Sequence, residues 1–70
     1  MHIILKPGKL TEARLRAGMT QKMLADVLEM SRAFVAALEL GERSPSPVTA
    51  KKITKSLGCQ FDDLFEVKSG

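Results

Sequence analysis

The sequence predicts an all-α fold of five short helices, and three observations favour it. A chain of 70 residues is long enough for one hydrophobic core. Of its residues 44% are apolar but only 4% are aromatic, so aliphatic side chains must fill that core. Apolar positions recur at helical spacing in short segments that glycine and proline separate. We therefore expect a single all-α domain over residues 1–70.

Capping residues and glycines define the helix boundaries. Hydroxyl side chains that can cap the start of a helix lie at Thr20, Ser31 and Ser46. Glycines that can adopt the left-handed conformation at the end of a helix lie at Gly18, Gly41 and Gly58. These signals predict helices at 9–17, 21–28, 32–40 and 47–57, and a short fifth helix at Asp62-Asp63-Leu64-Phe65.

The same periodicity predicts which side chains face the core. The expected inward face of the second helix consists of Met23, Leu24, Val27 and Leu28. Met30, Val35 and Leu38 are expected to interlock with Leu24 and Leu28. Outside the helices, the ends of the chain at His2–Leu5 and Glu66–Lys68 are prone to β structure. They either pair as two strands or fray, and the sequence leaves both alternatives open.

Single cysteine and histidine residues limit the chemistry. Cys59 and His2 stand alone, which excludes an internal disulfide and a Cys/His zinc site. They also have no evident partners for acid–base or nucleophilic catalysis, so we expect neither an enzyme nor a bound cofactor or metal. The N-terminal apolar run is too short for a signal peptide or a membrane span, and we expect a cytoplasmic protein with no membrane partner.

Charge is unevenly distributed along the chain. Residues 1–22 carry five basic side chains against one acid, and 43–55 carry four basic side chains and no acid. The segments between and after them are acidic. Such alternation gives a folded domain one basic side, which suits a polyanion partner, although a solvated face explains it nearly as well.

The segment 21–40 reads as two short helices joined by a turn of about three residues. A small side chain, Ala25, lies where two helices that cross at a steep angle must touch. The second helix is then left exposed, and an exposed helix fits the major groove of DNA.

With these residues placed, the sequence resembles the phage repressor and Cro-type (XRE-like) helix-turn-helix superfamily, in its short stand-alone form. The residues that carry the resemblance are Leu10, Arg14, Gly18, Thr20-Gln21, Ser31-Arg32, Val35, Leu38-Glu39, Gly41, the segment 47–58 and Phe61-Asp62-Asp63-Leu64-Phe65. The resemblance implies a five-helix lambda-repressor-like domain whose third helix recognises DNA. It also implies that the two ends of the chain form a small two-stranded sheet.

The resemblance also assigns site residues. The implied DNA-contacting residues are Thr20, Gln21, Lys22, Ser31, Arg32, Ala33, Phe34, Ala36, Ala37, Arg43 and Ser44. Gln21 is expected to bind a backbone phosphate and to brace the third helix. Arg32 is expected to read a base, since its forked donors match guanine O6 and N7, or else to contact a phosphate.

Several positions depart from the family pattern. Ala33, Ala36 and Ala37 occupy expected exposed turns where relatives carry polar groups, so their methyl groups and DNA shape would have to supply selectivity, or binding is degenerate. Phe34 either covers a backbone sugar or packs onto the fourth helix. Glu29 stands where relatives prefer glycine, which implies either a strained backbone or a turn without positive φ.

The implied structural and quaternary features complete the prediction. Arg14 and Glu39 resemble the buried ion pair of the family. The candidate dimer contacts are Leu64, Phe65 and Val67, which are either exposed or part of the core. The main hypothesis is a homodimeric repressor that binds a pseudo-palindromic operator in double-stranded DNA, with no small-molecule effector. The alternative is an antitoxin-like or regulatory interaction module that uses the alanine-rich third helix to bind protein.

Overall fold

The computed structural model describes residues 1–69 and shows five α-helices and a two-stranded antiparallel sheet in that range. The elements in chain order are β1 (His2–Leu5), α1 (Lys9–Arg16), α2 (Gln21–Leu28), α3 (Arg32–Glu39), α4 (Pro47–Leu57), α5 (Phe61–Leu64) and β2 (Phe65–Lys68). The predicted fold class is confirmed. Helices α1 and α3 each end one residue earlier than predicted, because Ala17 and Leu40 are C-cap residues.

The predicted caps explain why the helices begin where they do. The side chains of Thr20, Ser31 and Ser46 accept hydrogen bonds from backbone N–H groups in the first turns of α2, α3 and α4. Pro47 follows Ser46 at the first helical position, where no N–H is needed. Glycine at position 58 ends α4 with φ of 67°. The boundaries of α2 and α4 therefore agree with the sequence prediction.

The two ends of the chain pair as antiparallel strands and do not fray. Ile3 lies opposite Val67, and Leu5 lies opposite Phe65. The backbone N–H of Lys6 donates to the carbonyl of Leu64 at 2.8 Å, which continues the pairing beyond β1. Phe65 therefore belongs to β2 and not to the fifth helix, which spans Phe61–Leu64.

One core joins the helices to the sheet. Its buried apolar residues are Leu10, Ala13, Leu24, Ala25, Leu28, Val35, Leu38, Ala50, Ile53, Leu64 and Phe65. The expected inward positions of Leu24, Leu28, Val35 and Leu38 are thus confirmed. Ala25 is also fully buried, as a close contact between α2 and its neighbours requires.

The inward positions predicted for Met23 and Val27 are wrong. Both side chains are about half exposed, at 47% and 52%, and Met30 is also exposed. The buried face of α2 is formed by Leu24, Ala25 and Leu28. This face is rotated about the helix axis away from Met23 and Val27. Periodicity gives the direction of the apolar stripe, but it does not show which edge of the stripe a neighbouring helix covers.

Of the two alternatives for Leu64 and Phe65, the structure shows that they are part of the core. Their exposed fractions are 2% and 1%, because the pairing of Phe65 with Leu5 turns both residues into the core. Val67, further along β2, keeps an exposed side chain. Within residues 1–69 we find no helix with the length and apolar character that crossing a lipid bilayer requires.

Candidate nucleic-acid interface

The α2–turn–α3 unit is the part of the molecule that the sequence singled out. Helix α3 packs through buried Val35 and Leu38, while Arg32 and Ala33 at its start are exposed. The turn between the helices is closed by a hydrogen bond from the N–H of Met30 to the carbonyl of Ala25, at 2.9 Å. An exposed helix start of this kind is free to approach a groove of DNA.

Glu29 forms this turn in the left-handed region, with φ of 58° and ψ of 39°. Of the two alternatives for Glu29, the structure shows the strained backbone. Its N–H still donates to the carbonyl of Asp26, so the strain does not disrupt the end of α2.

A chain of hydrogen bonds connects the core ion pair to Arg32. The Arg14 Nε donates to Glu39 Oε2 at 2.6 Å, which confirms the predicted ion pair. The Gln21 Nε2 donates to Glu39 Oε1 at 3.0 Å, and the Arg32 Nη1 donates to Gln21 Oε1, also at 3.0 Å. Gln21 therefore contacts both ends of α3, and its predicted role as a brace of this helix is confirmed. The hydrogen bond from Arg32 to Gln21 holds the Arg32 side chain at the start of α3.

The hydrogen bonds to Glu39 also affect its protonation. Burial acts to raise the pKa of the Glu39 carboxyl, but hydrogen bonds from Arg14, Gln21 and Thr11 outweigh it and lower the pKa below its ordinary value. The side chains of Arg14 and Glu39 are only 10% and 8% exposed, so the pair is largely shielded from solvent. Glu39 is therefore a charged link between α1, α2 and α3.

Phe34 of the first turn of α3 and Arg43 form a second contact in the site. The Arg43 Cζ lies 5.5 Å from the centroid of the Phe34 ring, within the range of a cation–π contact. Phe34 is half buried and packs against the core, which is consistent with the packing alternative for this residue. Arg43 is exposed in the segment between α3 and α4.

The remaining predicted contact residues differ in how free they are. Thr20 and Ser31 use their hydroxyl oxygens to cap α2 and α3. The Lys22 Nζ lies 3.0 Å from Asp26 Oδ1 on the same helix, which partly neutralises its charge. Ser44 is exposed.

The three alanines of α3 are not equally accessible. Ala33 is exposed as expected, but Ala36 and Ala37 are half buried, so the expectation that all three are exposed is wrong for two of them. The exposed part of α3 is its first turn. This places Arg32 and Ala33 among the helix residues best placed to meet a ligand.

Two features of the site were not predicted from the sequence. The stacking of Arg43 on Phe34 joins residues nine positions apart, and no local periodicity signals it. The hydrogen bond from Gln21 to Glu39 spans 18 positions. It could have been predicted by combining two expectations, the Arg14–Glu39 ion pair and the role of Gln21 as a brace of α3. Within residues 1–69, no group of three His, Cys, Asp or Glu side chains is arranged to bind a metal ion.

The fold and this exposed helix define a class of protein, the helix-turn-helix DNA-binding regulators. The model of one helix-turn-helix family (HTH_3) matches residues 10–64. The chain therefore belongs to this family, which includes the Cro/C1-type regulators.

Curated relatives agree with this membership. The chain is 37% identical over 58 residues to the uncharacterized HTH-type transcriptional regulator YgzD of Bacillus subtilis, covering 83% of this chain and 88% of that protein. It is 39% identical over 58 residues to the regulator MJ0272 of Methanocaldococcus jannaschii, with the same coverages of 83% and 88%. These relatives support DNA-binding transcription regulation as the general function.

Solved structures show the same architecture. The restriction-modification controller protein C.AhdI from Aeromonas hydrophila superposes with a TM-score of 0.72 at 29% identity, covering 79% of this chain and 83% of the controller. The transcriptional regulator VanUg superposes with a TM-score of 0.70 over 100% of this chain and 92% of its own. At 21% identity, VanUg shows the fold alone.

Proposed function

We propose that this chain is a sequence-specific repressor that acts as a homodimer on a pseudo-palindromic operator in double-stranded DNA, without an enzymatic activity, a cofactor or a small-molecule effector. The observation that carries the proposal is the hydrogen-bonded chain from Arg14 through Glu39 and Gln21 to Arg32. A guanidinium positioned in advance at the start of α3 loses little freedom when it binds a base edge.

The proposed DNA contacts follow from the geometry of the site. Arg32 and Ala33 enter the major groove, with Arg32 bidentate to a guanine. The N-terminus of α2 with Thr20, Gln21 and Lys22 lies on a phosphate, since free N–H groups and a basic side chain suit an anion. Ser31, Phe34, Arg43 and Ser44 flank the groove, and half-buried Ala36 and Ala37 allow close approach.

Selection from random duplexes tests this proposal. We expect the wild-type chain to enrich a two-fold symmetric site, with binding that weakens steeply as salt is raised. Arg32→Ala should relax one position in each half-site, because it removes a contact worth about 1–3 kcal/mol of discrimination. Arg16→Ala is the matched control, since Arg16 is an exposed arginine of α1 that contacts Glu12.

The competing reading is that α3 binds protein. It would be supported if no sequence is enriched and Arg32→Ala binds DNA as the wild type does. The structure gives this reading less support, because the alanine-rich face is half buried at Ala36 and Ala37.

Val67 remains our candidate for the dimer contact. Its side chain is 54% exposed, and it lines an apolar groove with Met1, His2, Ile3, Ser44, Pro45 and Pro47. We expect Val67→Glu to shift sedimentation equilibrium toward the monomer. Leu40→Glu is the control, because Leu40 is an exposed apolar residue outside this groove. Equal dissociation constants for both variants and the wild type would place the dimer contact elsewhere.

A further inference from the structure

Two arginines lie near the exposed first turn of α3, and they are held in different ways. Arg32 donates a hydrogen bond to Gln21, whereas Arg43 lies over the ring of Phe34 with 5.5 Å between its Cζ and the ring centroid. Within residues 1–69, no carboxylate oxygen lies within 4.0 Å of the Arg43 guanidinium. The aromatic contact is thus the interaction that orients Arg43.

Phe34 is itself firmly placed. Its backbone N–H donates to Ser31 Oγ at 3.1 Å in the capped first turn of α3, and its ring packs against the core. A ring with so little freedom is a fixed platform. Arg43 belongs to the segment after α3. Its guanidinium is nevertheless positioned by α3, because it contacts the ring of Phe34 in that helix.

The contact with Phe34 leaves the donors of Arg43 available, since Arg43 makes no ion pair within residues 1–69. A guanidinium carries its five N–H groups in the plane of the group, and an aromatic ring contacts its face. An ion pair with a neighbouring acid such as Glu42 would instead occupy those N–H groups. An arginine in such an aromatic contact therefore keeps N–H groups that can donate to a phosphate.

We propose that Phe34 is a positioning residue for DNA binding, which holds the Arg43 guanidinium so that it donates to a backbone phosphate beside the groove that α3 enters. This inference rests on the proposed function. A phosphate is the favoured ligand because Arg43 belongs to the segment after α3 and not to the helix that enters the groove, and half or more of protein–DNA hydrogen bonds go to the backbone.

A double-mutant cycle on Phe34 and Arg43 tests the proposal. Dissociation constants are measured over a range of salt concentrations, on the duplex that the wild type enriches and on a duplex of random sequence. Arg43→Ala should reduce the magnitude of the slope of log K against log salt by about 2 per dimer, about 1 for each protomer, and should weaken binding to both duplexes alike. Phe34→Leu should weaken binding to both duplexes roughly 2- to 5-fold for each protomer, and Phe34→Tyr, which keeps the aromatic face, should recover most of that loss.

The cycle separates positioning from packing. If Phe34 acts through Arg43, Phe34→Leu has no further effect once Arg43 is alanine. An equal loss in both backgrounds overturns the proposal, since Phe34 would then act on its own. Circular dichroism melts establish that each variant is folded.

A measurement without DNA keeps this inference distinct from the proposed function. The Arg43 Nε–H proton should show a ring-current shift in the wild type and in Phe34→Tyr, and the shift should vanish in Phe34→Leu. Its absence from the wild type overturns the positioning role. A wild type that shows the shift but binds neither duplex overturns the proposed function, and with it the assignment of a phosphate to Arg43.

Discussion

Glu39 connects three helices through one carboxylate. It accepts hydrogen bonds from Arg14 of α1 and Gln21 of α2 while belonging to α3 itself. The two side chains of the ion pair are largely shielded from solvent. The third guanidinium nitrogen of Arg14, Nη1, donates to the carbonyl of Met19 at 2.8 Å. The position of Arg32 depends on this residue through Gln21, so one buried contact stabilises both the fold and the candidate site.

The lowered pKa of Glu39 predicts a dependence of stability on pH. Because the folded-state pKa lies below the ordinary value of 4.5, ionised Glu39 stabilises the fold above pH 4.5. That contribution is lost as the pH falls from 4.5 through the lower pKa of the folded state. We expect Glu39→Gln to lower the free energy of unfolding by about 3 kcal/mol at pH 7, because it leaves Arg14 without its charged partner.

Urea unfolding at several pH values checks this expectation. The difference in the free energy of unfolding between wild type and Glu39→Gln should narrow as the pH falls from 4.5 through the lower folded-state pKa, below which the wild-type carboxyl is neutral as well. Glu12→Gln is the control, since Glu12 is exposed and its contact with Arg16 is long, at 3.9 Å. A gap that stays constant from neutral to acidic pH would contradict the role given to the charge of Glu39.

At the scale of the elements, the end of α2 is strained at a single residue. Glu29 has φ of 58°, a conformation that costs a residue with a side chain about 1–2 kcal/mol. Glycine avoids this cost, but it lowers the free energy of unfolding by about 0.5–1 kcal/mol because it gives the unfolded chain more conformational entropy. We therefore expect Glu29→Gly to raise the free energy of unfolding by about 0.5–1 kcal/mol in urea titrations.

Gly18→Ala is the matched opposite change. Gly18 has φ of 72°, and no heavy atom lies within 4 Å of a Cβ added there, so its substitution tests the backbone term alone. It should destabilise the fold by a similar amount. If both substitutions change stability in the same direction, backbone strain does not explain either of them.

Much of the element structure could be predicted because its signals are local. The hydroxyl caps at Thr20, Ser31 and Ser46 act within one helical turn, and they set the starts of α2, α3 and α4. The pairing of the chain ends could not be settled, because Ile3 and Val67 are 64 positions apart. The burial of Phe65 follows from that register, so the choice between core and exposed surface for Phe65 stayed open for the same reason.

The candidate site shows the same division between local and distant information. The family resemblance predicts the ion pair of Arg14 with Glu39. It also predicts that Gln21 braces α3. The contact of Arg43 with Phe34 depends on the path of the segment between α3 and α4, which residue spacing does not determine. The exposure of Met23 and Val27 depends on which neighbours cover α2, and this is likewise a tertiary property.

At the scale of the whole molecule, the protein is small for a stable monomer. The Cα radius of gyration is 10.9 Å, and the core cluster contains 11 buried apolar residues, three of them alanine. A single core of this size supplies only about 3–5 kcal/mol of net stability without disulfides or metals. Association with a second copy would add to it through mass action.

The proposed homodimer therefore predicts that thermal stability depends on protein concentration. For a dimer that unfolds to two separate chains, a tenfold increase in concentration adds about 1.4 kcal/mol to the free energy of unfolding. Dividing this free energy by the unfolding entropy of two 70-residue chains gives a rise in Tm of about 5 °C. Melts followed by circular dichroism over a hundredfold range of concentration measure the shift, and the Val67→Glu variant should melt at a lower temperature that no longer depends on concentration. A wild-type Tm that stays constant over that range would show that the chain unfolds as a monomer, and a symmetric operator would then have to be occupied by two chains that associate only on DNA.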